Sequence, residues 1–389
     1  MPDALAGVVR IVSSLTRSGS SRGQSDSVVN SIRLCLDDWG WRVGGAEIAY
    51  EDLDDGSEER GSWVAEKEAE NARRAAADPD CLAYIGTLDA DAAPHSIPIL
   101  NQAGPLLMVS PCNTYPGLTR PVSWDPDEPG KYYPTGRRNY CRTALTDDVQ
   151  GHAAARWAAE LGARRVYVLH DTEPYGRGVA EPFAESCAPS GMDVVGGRAQ
   201  AIVPKAPGFA ELAARIAASE ADTTFYGGII QNGAGRLWHD IKAATPAMRM
   251  MAADALFERA FLAEAGPLAE NTLLTFGGVP PAQLSGDGAS FYRRYKETYG
   301  SEPESYAAST YDALTVVLRA IEHVGSKDRA AITEAVFRTR DHDGLLGRWS
   351  LDENGDISLR TVSRLTVADG DFRFLETVEV ADGVPADEP

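Results

Sequence analysis

The chain has 389 residues, of which 43% are hydrophobic, so it can bury a large core in one large domain or in two. Its 37 Lys and Arg stand against 57 Asp and Glu, and the resulting net charge of -20 opposes binding to phosphate backbones and anionic lipid. No stretch approaches the roughly 20 apolar residues of a membrane-spanning helix. We therefore expect neither a nucleic-acid partner nor a membrane span.

The cysteines argue against a zinc site and against a complete disulfide framework. They form an odd set without C-x-x-C spacing: Cys35, Cys81, Cys112, Cys141 and Cys187. We expect most of them to be buried thiols, although one pair could form a bridge in an oxidising compartment.

Predicted strands and helices alternate along the first part of the chain. In order they are strand GVVRIVSSL, helix SDSVVNSIRLCLDDW, strand AEIAYEDL, helix VAEKEAENARRAAA, strand CLAYIGTL, helix PHSIPILNQA and strand PLLMVS. This succession predicts a parallel sheet wrapped by helices. The next segment, RPVSWDPDEPGKYYPTGRRNY, is rich in Pro, Gly and charge, and we interpret it as a surface excursion before a domain boundary.

A second alternating series follows and predicts a second α/β unit. It comprises helix DVQGHAAARWAAEL, strand RRVYVLHD, helix GRGVAEPFAESCAP, strand DVVGGRAQ, helix FAELAARIAAS, strand DTTFYGGII, helix NGAGRLWHDIKAA, strand RMMAADA and strand TLLTFGG. Three helices come next: GASFYRRYKETY, SYAASTYDALTVVLRAIEHV and DRAAITEAVFRT. The tail alternates in strand fashion around turns at Asn354-Gly355 and Asp369-Gly370, which predicts that it pairs onto a sheet already formed.

Five segments, taken in order, resemble the type I periplasmic solute-binding proteins of the leucine/isoleucine/valine group. They are CLAYIGTL, PILNQAGPLLMVSPCNTYPGLT, RRVYVLHDTEPYGRGVAEPF, TTFYGGIIQNGAG and DGLLGRWSLDENGD, within a match from Gly7 to about Phe374. The resemblance implies an α/β fold of two doubly wound parallel-sheet lobes, joined by three crossovers, with a ligand cleft between them.

The resemblance also implies that each lobe is discontinuous in sequence. We place the crossovers near Arg142, Leu274 and Leu345. The N-terminal lobe would then be residues 1–141 plus 275–344, and the C-terminal lobe residues 142–274 plus 345–389.

The residues support the same kind of site independently. Ligands of open parallel sheets bind at the carboxyl ends of the strands, where loops lead into helix N-termini. A helix start offers unpaired N–H groups and partial positive charge, which suit a carboxylate, while carbonyl, hydroxyl and acidic groups suit an ammonium. An amino acid presents both charges.

In the first lobe the resemblance assigns ligand contacts to the backbone carbonyl of Cys112 and to the hydroxyl and N–H of Thr114. Alternatively, Asn113 or Thr114 caps a helix, and a cap residue at the mouth of the cleft could do both. Arg22 falls where relatives often have a tyrosine. It is either a solvated surface residue or a bidentate partner for a carboxylate.

One loop departs from the family. The serine-bearing loop after the third strand reads GTLDADAAPHS here, with Asp89 and Asp91 near the position of the serine. Either both residues cap the next helix, or one faces the ligand and favours a cation or a neutral solute over a carboxylate. The identity of the ligand therefore stays open.

In the second lobe the resemblance places Tyr175 against the ligand and Asp254 opposite its ammonium. The alternatives are a tyrosine that covers the core with its hydroxyl in water, and an aspartate that caps a helix. The segment FYGGIIQNG should bring Tyr226, Gln231 or Asn232 close to the ligand, and spacing does not decide which.

No enzyme or metal motif accompanies these residues. The six histidines show no H-x-x-x-H or H-E-x-x-H spacing, and neither G-x-x-x-x-G-K-[ST] nor G-x-S-x-G occurs. The acidic strings DLDDG and DENGD lack the full spacing of a calcium loop and read as turns. We expect no catalytic residue, no metal and no cofactor.

The sequence thus predicts a non-enzymatic binding protein of an ABC uptake system, which closes by hinge motion on a small polar solute, an amino acid or a derivative, and docks on the permease. The opening MPDALAGVVRIVSSL lacks the basic start and long apolar middle of a signal peptide. We expect an extracytoplasmic protein, secreted or lipid-anchored, whose signal segment is absent from this chain. The alternatives are a ligand-sensing domain of a regulator or receptor, possible in the cytoplasm, and a doubly wound enzyme acting on a small metabolite.

Overall fold

The computed structural model describes residues 5, 7–19 and 21–381. The chain divides into two compact units, and its backbone passes from one to the other three times. Unit 1 contains the described residues up to Leu145 together with Pro280–Leu359, and unit 2 contains Thr146–Val279 together with the described residues from Arg360 onward.

Strands occur throughout both units. They are β1 (Val8–Leu15), β2 (Arg42–Val43), β3 (Ala46–Asp54), β4 (Gly56–Ser57), β5 (Ser62–Trp63), β6 (Cys81–Gly86), β7 (Leu107–Ser110), β8 (Tyr140–Arg142), β9 (Arg165–His170), β10 (Asp193–Val194), β11 (Gln200–Ala201), β12 (Thr223–Gly227), β13 (Arg249–Ala252), β14 (Leu273–Gly277), β15 (His342–Gly344), β16 (Gly347–Trp349), β17 (Thr361–Ala368) and β18 (Asp371–Glu379).

Helices separate most of these strands. They are α1 (Arg22–Asp38), α2 (Ala65–Ala77), α3 (Ala93–Asn101), α4 (Asp147–Glu160), α5 (Pro174–Cys187), α6 (Ala210–Ala218), α7 (Ala234–Ala244), α8 (Arg259–Ala265), α9 (Gly286–Tyr299), α10 (Ala307–Val324) and α11 (Arg329–Phe337). The predicted alternation of strand and helix is confirmed.

The sheet of unit 1 has the strand order β2-β3-β1-β6-β7-β8. All neighbours pair in parallel except β2, which is antiparallel to β3. Strand β6 is buried along its whole length, as expected where helices cover both faces of a parallel sheet. The parallel strands therefore end at one common edge, which carries the loops after β1, β6 and β7.

The sheet of unit 2 has the order β10-β9-β12-β13-β14-β17-β18, with β11 also paired to β9. Strands β9 to β14 are parallel, and β17 and β18 add antiparallel strands at one side. The prediction that the tail pairs onto an existing sheet is confirmed. The turn between β17 and β18 has positive φ at Asp369 (57°) and Gly370 (76°), the backbone of a type I′ hairpin.

One local prediction was wrong and one was incomplete. The predicted strand DVVGGRAQ is split into β10 and β11, because Gly196 and Gly197 have φ values of 83° and 117°. Residues 120–140 are mostly exposed or half-buried and precede the boundary after Leu145, as predicted, but Tyr132 and Tyr133 are buried in unit 1 and the segment ends in the unpredicted strand β8. These two aromatic side chains attach an otherwise mostly exposed segment to the core.

The unit boundaries follow Leu145, Val279 and Leu359, whereas the sequence predicted crossovers near Arg142, Leu274 and Leu345. The largest difference is at the third crossover, predicted near Leu345 and found after Leu359. The amides of Leu345 and Leu346 donate to the carboxylate of Asp312 on α10 at 2.8 and 3.1 Å, as does the Trp349 indole at 3.1 Å. These bonds hold the β15–β16 hairpin on unit 1.

All five cysteines are buried and free, which confirms the expectation of buried thiols. Within the described part of the chain, no helix combines the length and apolarity of a membrane span. The same residues contain no group of three or more His, Cys, Asp or Glu arranged to hold a metal ion.

Candidate functional site

A hydrogen-bonded clasp shapes the loop after β7 in unit 1. The Ser110 hydroxyl donates to the carbonyl of Thr87 at 3.1 Å and accepts the amides of Cys112 and Asn113 at 3.1 and 2.9 Å. The Asn113 amide group donates to the carbonyls of Thr87 and Leu88 at 2.9 and 3.1 Å. Asn113 therefore joins the loops after β6 and β7, and its side chain is fully buried in that role.

Thr114 follows this clasp and has a different environment. It is buried, yet neither its amide nor its hydroxyl has a hydrogen-bond partner among the described residues. The following 3₁₀ turn, Pro116–Leu118, begins after Tyr115 and has no side-chain cap, so neither Asn113 nor Thr114 caps it. The hydroxyl oxygen is not among the fully enclosed side-chain atoms that lack a partner, so a ligand can reach it, and Thr114 offers a donor pair to that ligand.

Neither acidic residue of the loop after β6 occupies the N-cap position of the next helix. Helix α3 begins after Ala92, which has no capping side chain. The Thr16 hydroxyl lies 3.1 Å from Asp89 Oδ2 and 2.9 Å from Asp55 Oδ1. A hydroxyl has a single proton to donate, so these two carboxyl groups compete for it. Asp91, two residues after Asp89 in the chain, is also buried.

Glu68 extends this acidic region into the core of unit 1. Its carboxylate is fully buried and accepts hydrogen bonds from Ser14 at 2.5 Å and from Tyr84 at 2.9 Å. Burial raises the pKa of Glu68 from its usual 4.5 to about 7. Burial, followed by the charges of Glu68 and Asp89, holds the pKa of Asp55 well above its usual range.

Glu68→Gln is expected to flatten the pH dependence of stability. The pKa of Glu68 is higher in the folded chain than in the unfolded chain. Its contribution to the free energy of unfolding is therefore fully present below about pH 4.5 and is lost as the pH rises through about 7. In this window the free energy of unfolding should fall by up to about 1.4 kcal/mol per pH unit through this group. Urea unfolding between about pH 5 and 8 measures it, and an unchanged slope in the variant would contradict the assignment.

Arg22 stays on the surface of unit 1. Its side chain is 69% exposed and lies 3.5 Å from Asp26, one turn further along α1. Of the two alternatives given by the sequence, the structure shows the solvated arginine, so Arg22 is not included in the proposed ligand contacts.

In unit 2 two predicted residues, Asp254 and Tyr175, lie in direct contact. Asp254 Oδ1 accepts hydrogen bonds from the Tyr175 hydroxyl at 3.0 Å and from Gln150 Nε2 at 2.9 Å, and the Ala255 amide donates to the Tyr175 oxygen at 3.1 Å. Both predicted residues are buried. The tyrosine hydroxyl therefore holds the carboxylate instead of facing water, and Asp254 is the first residue of a 3₁₀ turn, after the cap position.

Sequence reasoning missed Asp171, which follows β9. Its Oδ2 accepts the Ile229 amide at 2.8 Å and Asn232 Nδ2 at 2.9 Å, and burial raises its pKa to about 6. Asp171 thus ties the loop after β9 to the loop after β12, as Asn113 does in unit 1. The sequence signal that could have identified Asp171 is its position directly after the buried strand β9.

The other predicted residues of unit 2 have separate environments. Tyr226 is fully buried, packs edge-on against Trp238 with ring centroids 5.9 Å apart, and donates to the Ile229 carbonyl at 3.3 Å. Gln231 lies partly exposed in the 3₁₀ turn Ile230–Asn232. Tyr226 is a core residue, and Gln231 remains a candidate contact.

A serine and a histidine meet elsewhere in unit 2. His152 Nδ1 lies 2.6 Å from Ser186 Oγ, at a cavity of about 840 Å³ that Arg198 and Arg364 also line. Ser186 is in the last turn of α5 and Tyr175 in its first, so roughly 16 Å of helix separates them. The pair links α4 to α5 away from the strand ends.

The comparisons with known proteins agree with the fold. A family model described as periplasmic binding protein matches residues 8–369. The Leu/Ile/Val-binding protein homolog 1 of Brucella suis biovar 1 is 26% identical over 245 residues, which are 63% of this chain and 62% of that protein. The Leu/Ile/Val-binding protein BraC3 of Rhizobium johnstonii is 24% identical over 351 residues, covering 89% of this chain and 88% of that one.

A solved structure is similar over almost its whole length. The crystal structure of a leucine binding protein, LivK, from Thermotoga maritima MSB8 superposes with a TM-score of 0.83 at 26% identity, covering 95% of this chain and 99% of that chain. The match to the first Brucella protein spans less than two thirds of that protein's length.

Proposed function

Because the chain belongs to the periplasmic binding protein family, we propose that it is the solute-binding component of an ABC uptake system and that its solute is an amino acid or a close derivative. The observation that carries the proposal is Thr114, a residue only 3% exposed whose amide and hydroxyl have no partner among the described residues, in the loop after β7. These donors suit the carboxylate of the solute.

The second unit supplies the complementary charge. Asp254 is held by Tyr175 and Gln150, which fix the carboxylate in place. A carboxylate that neighbouring donors already orient is suited to bind an ammonium, because binding then costs little side-chain entropy. The names of the relatives, which refer to Leu, Ile and Val, support the same solute class.

In this proposal the protein captures its solute and does not transform it. It acts outside the cytoplasm and delivers the solute to a membrane permease, and hinge closure distinguishes the loaded form. The strand-end loops hold carboxylates, hydroxyls and amides that bind one another, with no serine–histidine pair among the candidate contacts described above.

A thermal-shift screen tests the proposal. Amino acids, their amides, polyamines and small organic acids are added one at a time, and a solute at about 100 times its dissociation constant should add about 2.7 kcal/mol of stability. We expect an amino acid or derivative to give the largest shift and to be recovered unchanged by mass spectrometry after incubation. Stabilisation only by polyamines or by acids without an amino group, or conversion of the solute, would contradict the proposal.

A further inference from the structure

A buried ion pair lies behind the loop that carries Thr114. Arg142 and Asp356 have side chains 0% and 1% exposed, and Arg142 Nε lies 2.7 Å from Asp356 Oδ1. The second oxygen, Oδ2, accepts from Arg120 Nε at 2.6 Å, and the Thr119 hydroxyl lies 2.9 Å from Oδ1. The pKa of Asp356 is lowered, since the charges of Arg142 and Arg120 outweigh the effect of burial.

The same guanidinium also binds the backbone on both sides of Thr114. Arg142 Nη1 donates to the Tyr115 carbonyl at 2.7 Å and lies 3.3 Å from the Asn113 carbonyl. The Asn113 carbonyl belongs to the planar peptide group that carries the Thr114 amide, and the Tyr115 carbonyl belongs to the peptide group after Tyr115, so the guanidinium restricts rotation on both sides of the Thr114–Tyr115 segment. Arg142 thus constrains the direction of the Thr114 amide.

Both members of the pair lie close to points where the chain leaves unit 1. Arg142 ends β8, shortly before the boundary after Leu145, and Asp356 precedes the boundary after Leu359. The Arg142 amide also donates to the Gly355 carbonyl at 2.9 Å. A turn aims Asp356 inward, since its amide donates to Asp352 Oδ1 at 2.9 Å.

Stability alone is a weak reason for such a pair. Removing two charges from water is costly, and a buried ion pair is often no more stabilising than apolar side chains of similar volume. Planar, multidentate donation to fixed acceptors is the property that arginine has and lysine lacks. Arg142 uses this property, because its guanidinium binds two backbone carbonyls and one carboxylate.

We infer that Arg142, oriented by Asp356, is a positioning residue for solute binding: it fixes the loop that presents Thr114. This inference rests on the proposed function. It assigns a role to the acidic string at residues 352–356, which the sequence identified only as a turn.

Arg142→Lys tests the inference, with Arg329→Lys as the matched control. Arg329 also donates to backbone carbonyls of unit 1, those of Cys81 at 3.0 Å and Ala103 at 2.9 Å, but Cys81 begins β6, at the opposite edge of the sheet. For the solute found in the thermal screen, Arg142→Lys should raise Kd at least tenfold, and Arg329→Lys should leave it within about twofold.

Hydrogen exchange gives a readout that does not depend on the solute. In Arg142→Lys the peptide covering residues 110–118 should exchange faster than in the wild type, while Arg329→Lys should leave it unchanged. If the wild-type chain binds no amino acid, the proposed function fails, and exchange alone then decides the inference. Unchanged exchange of this peptide, or unchanged affinity in a chain that binds, would overturn it.

If Arg142→Lys does not fold, the paired variant Arg142→Met/Asp356→Leu replaces it. The pair removes both charges together and leaves neither one buried alone. We expect a folded protein with a lower thermal midpoint, because the Asn113 and Tyr115 carbonyls lose this donor, together with faster exchange of residues 110–118 and at least tenfold weaker binding. A folded paired variant with wild-type affinity would show that the ion pair has no positioning role.

Discussion

Asp254→Asn is expected to weaken binding of the solute by at least roughly 30-fold, since truncating one partner of a buried charge pair costs about 2–5 kcal/mol. The asparagine keeps an oxygen that can accept from Tyr175 and Gln150, so the fold of unit 2 should be preserved. Isothermal titration calorimetry with the solute from the thermal screen measures the change.

Asp222→Asn is the matched control for this variant. Asp222 precedes β12 in the same unit, and its Oδ2 accepts the amides of Arg164 and Arg165 at 2.8 and 3.0 Å. It lies at the opposite edge of the sheet, so its replacement should leave the affinity unchanged. Binding that is unaltered or tighter in Asp254→Asn would show that the carboxylate does not face an ammonium.

Thr114→Val should raise Kd by roughly 10- to 100-fold, because a hydrogen bond to a charged group contributes about 1.5–3 kcal/mol. Valine nearly preserves the volume of threonine and removes the hydroxyl. The thermal midpoint of the free protein should change little, because the hydroxyl has no hydrogen-bond partner within the described residues.

Thr333→Val serves as the control for Thr114→Val. Thr333 is as buried as Thr114, at 3% exposure, and its hydroxyl donates to the Pro105 carbonyl at 3.2 Å, before β7 begins. This variant should lose stability and keep its affinity. If Thr114→Val instead lost stability and kept wild-type affinity, Thr114 would be a structural residue.

The periodicity of the sequence predicted most of the strands and helices, because the spacing of apolar residues is a local property of a chain. The short apolar run of β6 between turn residues is typical of a covered strand, and the longer apolar stripe of α10 is typical of an amphipathic helix. For the segment before β8 the sequence predicted the exposure but missed the two buried tyrosines, because the packing of Tyr132 and Tyr133 is tertiary.

The sequence predicted which loops form the candidate site, but it did not predict the contacts that individual residues make there. The strand-end rule and the family resemblance led to the loops that contain Thr114 and Asp254. They could not show that Asn113 clasps the loop after β6, that Tyr226 is in the core, or that Arg142 binds the backbone around Thr114. Those roles depend on which atoms meet across distant segments.

A crystal structure grown with the solute that gives the largest thermal shift tests the central claim most directly. We predict an amino acid or derivative whose carboxylate accepts hydrogen bonds from the amide and hydroxyl of Thr114, with Asp254 as the carboxylate nearest its ammonium. Density for the solute away from both residues, for example in the cavity beside His152 and Ser186, would contradict the account.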